Sequence, residues 1–154
     1  MALSASIIHN YDHPNFTVVR CESRHDLGGA AATAYGKHRF WHKAIGLAVY
    51  FYANIADASG SAWQVYYSPV SDATGGSDVA LGSAWAVSNG AAGTTYTLVL
   101  NGLTATGVLT VDAAGRPIFN PGDKIYVKTN GSNGASGRID VGYEYHIATD
   151  AVHN

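Results

Sequence analysis

Apolar and polar residues alternate with a period of two along much of the chain, the pattern of a β-strand with one face in a core. The alternation runs through residues 63–67, 79–87 and 139–147. Successive side chains of a strand point to opposite faces of its sheet. The pattern therefore predicts that Trp63, Tyr67 and Trp85 point inward and that Tyr66 faces outward.

The segment from Phe40 to Ile55 differs because its apolar residues occupy both parities. Such a run is typical of a central strand that is buried on both faces, or of a strand in a subunit contact. A helix is the alternative interpretation. Gly46 and the β-branched and aromatic residues of the segment favour a strand.

An Asn-Gly pair at positions 101 and 102 separates two further alternating runs, 96–100 and 103–111. This dipeptide favours the type I′ turn, so it predicts a hairpin between the two runs. Clusters of Gly, Ser, Asn and Asp supply the other loops. The whole pattern predicts an all-β fold, a β-sandwich or jelly-roll-like domain of about eight strands with no helix.

The first fifteen residues lack the alternation of the rest. Pro14 removes a backbone donor and restrains His13 to extended geometry. We interpret residues 1–15 as an extended N-terminal arm that becomes ordered on a neighbouring molecule, with Tyr11 and Phe16 as apolar anchors, and residues 16–154 as the β-sandwich domain.

Composition limits the classes of function. The chain has 154 residues, a net charge of −2 and 13% charged residues, about half the usual fraction. So few charges indicate a surface that assembles with other subunits. The absence of a basic run argues against nucleic-acid binding, and no apolar stretch is long enough for a membrane span. No signal peptide is visible, and the single cysteine, Cys21, is expected to be buried and inert.

Candidate chemistry is sparse. No nucleophile elbow, phosphate loop or dinucleotide motif occurs, so no catalytic residue and no cofactor is predicted. The pairs His9/His13 and His38/His42 have a spacing that suits zinc, but no third ligand can be placed, and no metal site is predicted. Asp140 and Glu144 share a strand face about 13 Å apart, too far for a glycosidase pair.

The two ends of the chain resemble small structural proteins of tailed bacteriophages. The likeness lies in Tyr11-Asp12-His13-Pro14-Asn15-Phe16-Thr17, a Gly/Ala-rich loop at 28–34, Asn120-Pro121-Gly122-Asp123 before Ile125-Tyr126-Val127, and the closing Tyr143-Glu144-Tyr145. It implies a capsid decoration (cement) or minor head protein with a β-sandwich body, often trimeric. A protein of this kind is made in the cytoplasm of the host bacterium and bound to the major capsid protein on the virion surface.

The basic first third of the chain agrees with this implication, since residues 1–43 carry five basic and three acidic side chains. Such a bias would complement an acidic capsid surface. We therefore expect a non-enzymatic capsid-binding protein, and packing within the chain is the competing interpretation for each residue of the expected contact set. That set is Tyr11, His13, Pro14, Phe16, Arg20, Arg39 and Trp41.

Two other hypotheses stay open at this point. A receptor- or carbohydrate-binding module of a phage fibre or tail tip would use Tyr66 as a stacking platform for sugars. A hydrolase on a β-sandwich would need a carboxylate or histidine pair brought together across strands, which a sequence does not reveal.

Overall fold

A computed structural model describes residues 4–9, 16–27, 34–55, 61–71, 77–87, 92–129 and 137–148. These residues form eleven strands and no helix. The strands are β1 (Ser4–His9), β2 (Phe16–Asp26), β3 (Ala34–Arg39), β4 (Ala44–Ile55), β5 (Ser61–Ser68), β6 (Val79–Val87), β7 (Ala92–Val99), β8 (Thr110–Val111), β9 (Pro117–Phe119), β10 (Lys124–Thr129) and β11 (Gly137–Ala148).

The strands form two antiparallel sheets that pack face to face as a β-sandwich. The seven-stranded sheet has the order β1-β2-β11-β4-β9-β8, and β7 also pairs with β4. The four-stranded sheet has the order β3-β10-β5-β6. The all-β sandwich predicted from the pattern of alternation is thus confirmed. Eleven strands replace about eight: β8 and β9 are too short to show a period, and β1 lies in the segment interpreted as an arm.

The core fills the space between the two sheets. Trp63 and Tyr67 are buried as predicted, and Trp85 packs against the core with its ring stacked on Phe51 at 5.2 Å between centroids. The largest fully buried side chains are Trp63, Phe51, Phe119, Leu81, Leu100, Ile125, Ile139, Val49, Val65, Val87 and Val127. Burial of this apolar surface is the main favourable contribution to folding.

The unusual sequence of strand β4 reflects a change, partway along the strand, in which alternate positions face the core. It is central, as predicted, with β11 on one edge and β7 and β9 on the other. The ladder with β11 shifts register between Glu144 and Tyr145. Gly46 faces the core before this irregularity, and Val49 and Phe51 face it afterwards. A β-bulge therefore accounts for part of the apolar run on both parities.

The hairpin predicted at Asn101-Gly102 is wrong. Strand β7 pairs with β4, and residues 103–109 form no strand. Gly102 does adopt a positive φ of 63°, but its amide donates to the carbonyl of Ala114, which lies in the turn between β8 and β9. The chain bends at Gly102, and a non-local partner outcompetes the local pairing.

The N-terminal segment contains a strand that the pattern did not predict. Residues 4–9 form β1, which pairs in register with β2 from Ser4↔Glu22 to His9↔Thr17. Residues 10–15, which join the two strands, lie outside the described residues. The division into an arm and a domain at residue 15 stays a prediction.

One end of the sandwich gathers several strand ends, and we call it the 40–43 end after the loop that joins β3 to β4. Phe16 pairs with Ala148, and Lys124 pairs with both Arg39 and Ser68. The amide of Ala148 donates to the carbonyl of Lys43 at 2.8 Å. The start of β2 and the ends of β1, β3, β5 and β11 therefore meet at this end.

Candidate interaction surfaces

An exposed aromatic surface lies at the 40–43 end. Trp41 is 71% exposed and Val70 is 54% exposed. The guanidinium carbon of Arg39 lies 5.0 Å from the centroid of the Trp41 ring. A Cβ placed on Gly122 would lie 2.6 Å from Val70 Cγ2 and 3.7 Å from Arg39 Nη2, so Arg39 lies near both Val70 and Trp41. We call Arg39, Trp41 and Val70 the Trp41 patch.

A cavity of about 250 Å³ adjoins the patch. It is lined by Arg39 and Trp41, by Gly36 and His38 of β3, and by Tyr143 of β11. An exposed aromatic ring beside a concave site is the arrangement found at the centre of many protein interfaces.

Asp123 fixes the loops that carry the patch. Its side chain is buried, and it accepts hydrogen bonds from the Tyr67 hydroxyl at 3.0 Å, the Val70 amide at 2.9 Å and the Asn120 amide at 2.8 Å. The Phe40 amide donates to the Asp123 carbonyl at 2.9 Å. Burial and the Asp123 carboxylate raise the pKa of Tyr67, so its hydroxyl stays protonated and donates.

The sequence-predicted contact residues divide between two surfaces. Arg39 and Trp41 come together in the Trp41 patch, and Phe16 begins β2 at the same end of the sandwich. Tyr11, His13 and Pro14 lie outside the described residues. Arg20 does not join Arg39 and Trp41, because it lies on the outer face of the seven-stranded sheet.

That outer face holds a groove of about 910 Å³. Its floor is formed by outward-facing residues of β2, β11 and β4, whose register sets them in rows across the sheet. The rows are Arg20–Glu144, Glu22–Gly142–Tyr50 and Arg24–Asp140–Tyr52. Thr95 of β7 continues the last row beside Tyr52.

Arginines and carboxylates alternate along this groove. Arg20 Nε lies 3.0 Å from Glu22 Oε1, and Asp140 Oδ1 lies 3.3 Å from Arg24 Nε and 3.5 Å from Arg138 Nε. The guanidinium carbon of Arg20 lies 4.7 Å from the Tyr50 ring centroid, and that of Arg138 lies 5.5 Å from the Tyr52 centroid. The groove therefore presents donors, acceptors and aromatic rings side by side.

Sequence reasoning missed this groove. The outward positions of Tyr50 and Tyr52 on β4 and of Asp140 and Glu144 on β11 follow from parity. The pairing of β11 with both β2 and β4 does not, because register between distant strands is set by tertiary structure.

Tyr66 faces outward as predicted, on the four-stranded sheet. Its ring stacks on Tyr126 at 5.6 Å between centroids, and Lys128 Nζ lies 5.9 Å from its centroid. Tyr126 is itself held by a hydrogen bond from its hydroxyl to Asp78. Tyr66 is thus half-buried within a small aromatic cluster, which leaves less of its ring for a ligand than a solitary outward tyrosine would offer.

Most of the histidine and cysteine side chains that the structure describes are buried or partly buried. His38 contacts the rings of Phe40 and Tyr145, and burial lowers its pKa. His42 is exposed in the 40–43 loop, so this pair does not share a face. Cys21 is buried, as predicted, and burial raises its pKa. Within the described ranges no three His, Cys, Asp or Glu side chains cluster as metal ligands would, and no helix could span a membrane.

Comparison with solved structures identifies a similar fold. A chain from the capsid of Ralstonia phage GP4 is similar with a TM-score of 0.50 and 18% identity, over 85% of this chain and 86% of that one. At this identity the likeness establishes the fold. No protein-family model matches, and no curated protein matches in sequence.

Two further structures, of the Gx and Gt strains of infectious bursal disease virus, are more distant. Their TM-scores are 0.41 and 0.39 at 14% identity, and the match covers 97% and 96% of this chain but only 32% and 33% of theirs.

Proposed function

We propose that this chain is a structural virion protein that binds the outer surface of a bacteriophage capsid and stabilises its lattice, as a decoration or cement protein does. The observation that carries the proposal is the Trp41 patch. Trp41 is 71% exposed and belongs to a patch whose loops are held by the buried Asp123. An exposed apolar patch of this kind marks an interaction site. The proposal assigns no catalytic step to the chain.

The energy available from the patch is sufficient for specific binding. A tryptophan side chain buries roughly 150–250 Å² when it is fully covered. Covering the exposed part of Trp41 at about 25 cal/mol per Å² contributes about 3 kcal/mol, or roughly a hundredfold in affinity. The stacked Arg39 guanidinium adds a charge that can steer an acidic partner into register.

Two further features support a capsid partner. The fold is similar to that of a chain from a phage capsid. The first third of the chain is basic, and its likeness to phage structural proteins includes residues 11–17, which reach the start of β2 at the 40–43 end. The proposed contact set is Tyr11, His13, Pro14, Phe16, Arg20, Arg39 and Trp41. Arg39 and Trp41 are its centre, and Arg20 belongs to a separate surface.

Lattice stabilisation follows from linkage. A protein that binds only the assembled lattice shifts the assembly equilibrium by its binding free energy. The proposed partner is the major capsid protein, with homotrimers of this chain on the capsid surface and synthesis in the cytoplasm of the host bacterium. The low charged fraction of 13% is the reason to propose self-association.

Co-sedimentation with empty capsids tests the proposal. The capsids are assembled from the major capsid protein encoded by the same virus. We expect wild-type chain to co-sediment, Trp41→Ala to bind roughly a hundredfold more weakly, and the matched control Tyr66→Ala to bind normally. Arg20→Ala should have a smaller effect than Arg39→Ala. Deletion of residues 1–15, which also removes the edge strand β1, should abolish binding while the circular dichroism of the remaining strands persists.

The result that would overturn the proposal is equally direct. If wild-type chain fails to bind capsids, the capsid function is wrong. If Trp41→Ala binds as wild type does, the Trp41 patch is not the contact.

A further inference from the structure

The groove on the seven-stranded sheet has a glycine at its centre that the fold does not require. Gly142 lies in the interior of β11, between Glu22 and Tyr50 in its row. The φ angle of Gly142 is not in the positive range that favours glycine. A Cβ at this position would lie 3.5 Å from Glu22 Cγ and 3.6 Å from both Cys21 O and Tyr50 Cβ, which is ordinary contact.

Glycine inside a strand weakens it, and often marks a place where another molecule approaches the backbone. At Gly142 no positive φ requires a glycine, and the residue lies buried on the floor of the groove between Glu22 and Tyr50. A side chain there would instead stand in the middle of the groove, between the rows that contain Arg20 and Arg24. The absence of a side chain keeps the groove open.

The charges of the groove do not favour a charged ligand. Glu22 is paired with Arg20, and Asp140 with Arg24 and Arg138. A phosphate or a nucleic acid would have to compete with these carboxylates for the arginines. Sequence-independent anion binding needs unpaired positive charge, so a polyanion gains little here.

The remaining chemistry suits a sugar. A pyranose has apolar C–H faces that pack on aromatic rings and a rim of hydroxyls that both donate and accept hydrogen bonds. The groove offers the half-buried rings of Tyr50 and Tyr52, each with a guanidinium over one face, together with the donors of Arg20 and Arg24 and the carboxylate acceptors between them. Its volume of about 910 Å³ falls within the range of roughly 300–1,000 Å³ typical of ligand sites.

We propose that this groove, centred on Gly142 and walled by Tyr50 and Tyr52, binds a neutral oligosaccharide. The site goes beyond capsid binding and lies on a different surface from the Trp41 patch. It also differs from the stacking platform at Tyr66 that the alternative hypothesis uses, since the Tyr66 ring stacks on Tyr126. A second copy of the chain seated on this face is the competing occupant.

Titration of the full chain followed by NMR tests the proposal. The probes are cello-, manno-, xylo-, chito- and malto-oligosaccharides, with a heparin-derived oligosaccharide as the anionic arm. We expect at least one neutral probe to shift amide resonances of β2, β4 and β11 in a saturable manner. Tyr50→Ala and Tyr52→Ala should each weaken binding roughly tenfold, while Tyr66→Ala leaves it unchanged.

Gly142→Thr is the sharpest variant, because a β-branched residue favours the strand and fills the groove. We expect it to fold, with a melting temperature at or above that of wild type, and to lose oligosaccharide binding while it still co-sediments with capsids. This last readout separates the groove from the capsid proposal. If Gly142→Thr does not fold, the two tyrosine variants decide.

Four outcomes would overturn the proposal. They are no binding of any neutral probe at millimolar concentration, binding of the heparin probe alone, unchanged sugar binding by folded Gly142→Thr, and loss of a wild-type oligomer in Gly142→Thr. The last of these, measured by sedimentation equilibrium, would identify the face as a contact between copies of the chain.

Discussion

Removal of the Asp123 carboxylate should strongly destabilise the 40–43 end. Asp123 is 2% exposed and accepts three hydrogen bonds, from the Tyr67 hydroxyl and from the amides of Val70 and Asn120. Asp123→Ala leaves the three donors without this acceptor. The loop carrying Val70 and the turn at residues 120–123 then lose their common anchor.

The expected loss in the free energy of unfolding follows from the three hydrogen bonds that Asp123 accepts. A hydrogen bond to a charged group contributes about 1.5–3 kcal/mol. The Val70 and Asn120 amides are only partly buried, so water can replace part of the loss. We therefore expect Asp123→Ala to lower the free energy of unfolding by about 4 kcal/mol, which is roughly 10 °C in melting temperature for a chain of this size. Asp123→Asn keeps one acceptor oxygen and should lose about half as much.

Urea unfolding followed by circular dichroism and tryptophan fluorescence measures both variants. Asp26→Ala is the matched control, because Asp26 is exposed at the end of β2, and surface changes of this kind usually stay within about 0.5 kcal/mol. A loss below about 1 kcal/mol in Asp123→Ala would refute the argument that this carboxylate holds the loops together.

Three other predictions concern the packing between the sheets. Burial lowers the pKa of His38, so the unfolded chain binds its proton first, and stability should fall as pH drops below about 6.5; a pH series of melting temperatures should be flatter in His38→Gln. The Tyr143 hydroxyl is buried with no hydrogen-bond partner among the described residues, so Tyr143→Phe should match wild type or gain up to about 1 kcal/mol in urea unfolding. Gly36 has a φ of 64° and its Cβ would lie 2.9 Å from Val141 Cβ, so Gly36→Ala should lose about 2–3 kcal/mol; equal stability would show that β3 can move away from β11.

The sequence predicted those features that depend on local alternation. The inward positions of Trp63 and Tyr67, the outward position of Tyr66 and the strand character of 44–55 follow from the period of two, because one face of each strand must leave water. The burial of Cys21 was expected from its residue type, because free cysteines are among the most buried side chains. The period of two was sufficient to predict the all-β class.

The sequence did not predict the features that depend on which distant strands pair. The hairpin at Asn101-Gly102 was predicted from local turn chemistry, and β7 pairs with β4 instead because that pairing buries Leu98 and Leu100 against the core. Strand β1 was missed because an edge strand needs little alternation to pair. The sequence did not reveal the groove, because the neighbours of Gly142 are side chains that β2 and β4 place beside it through non-local strand pairing.

For the Trp41 patch the sequence supplied the residues but not their arrangement. The residue types of Arg39 and Trp41 and the basic charge of the first third indicate these two residues as contacts. Their proximity to Val70 and the anchoring by Asp123 come from loops far apart in the chain. Arg20 was selected by the same reasoning and lies on the other surface.

Electron cryomicroscopy of the virions to which we propose that this chain belongs tests the central claim most directly. The account predicts density for the β-sandwich on the outer surface of the capsid, with the 40–43 end against the major capsid protein and Trp41 covered in the contact. Heads whose outer surface shows no such density, or density for this chain only in a tail or fibre, would contradict it.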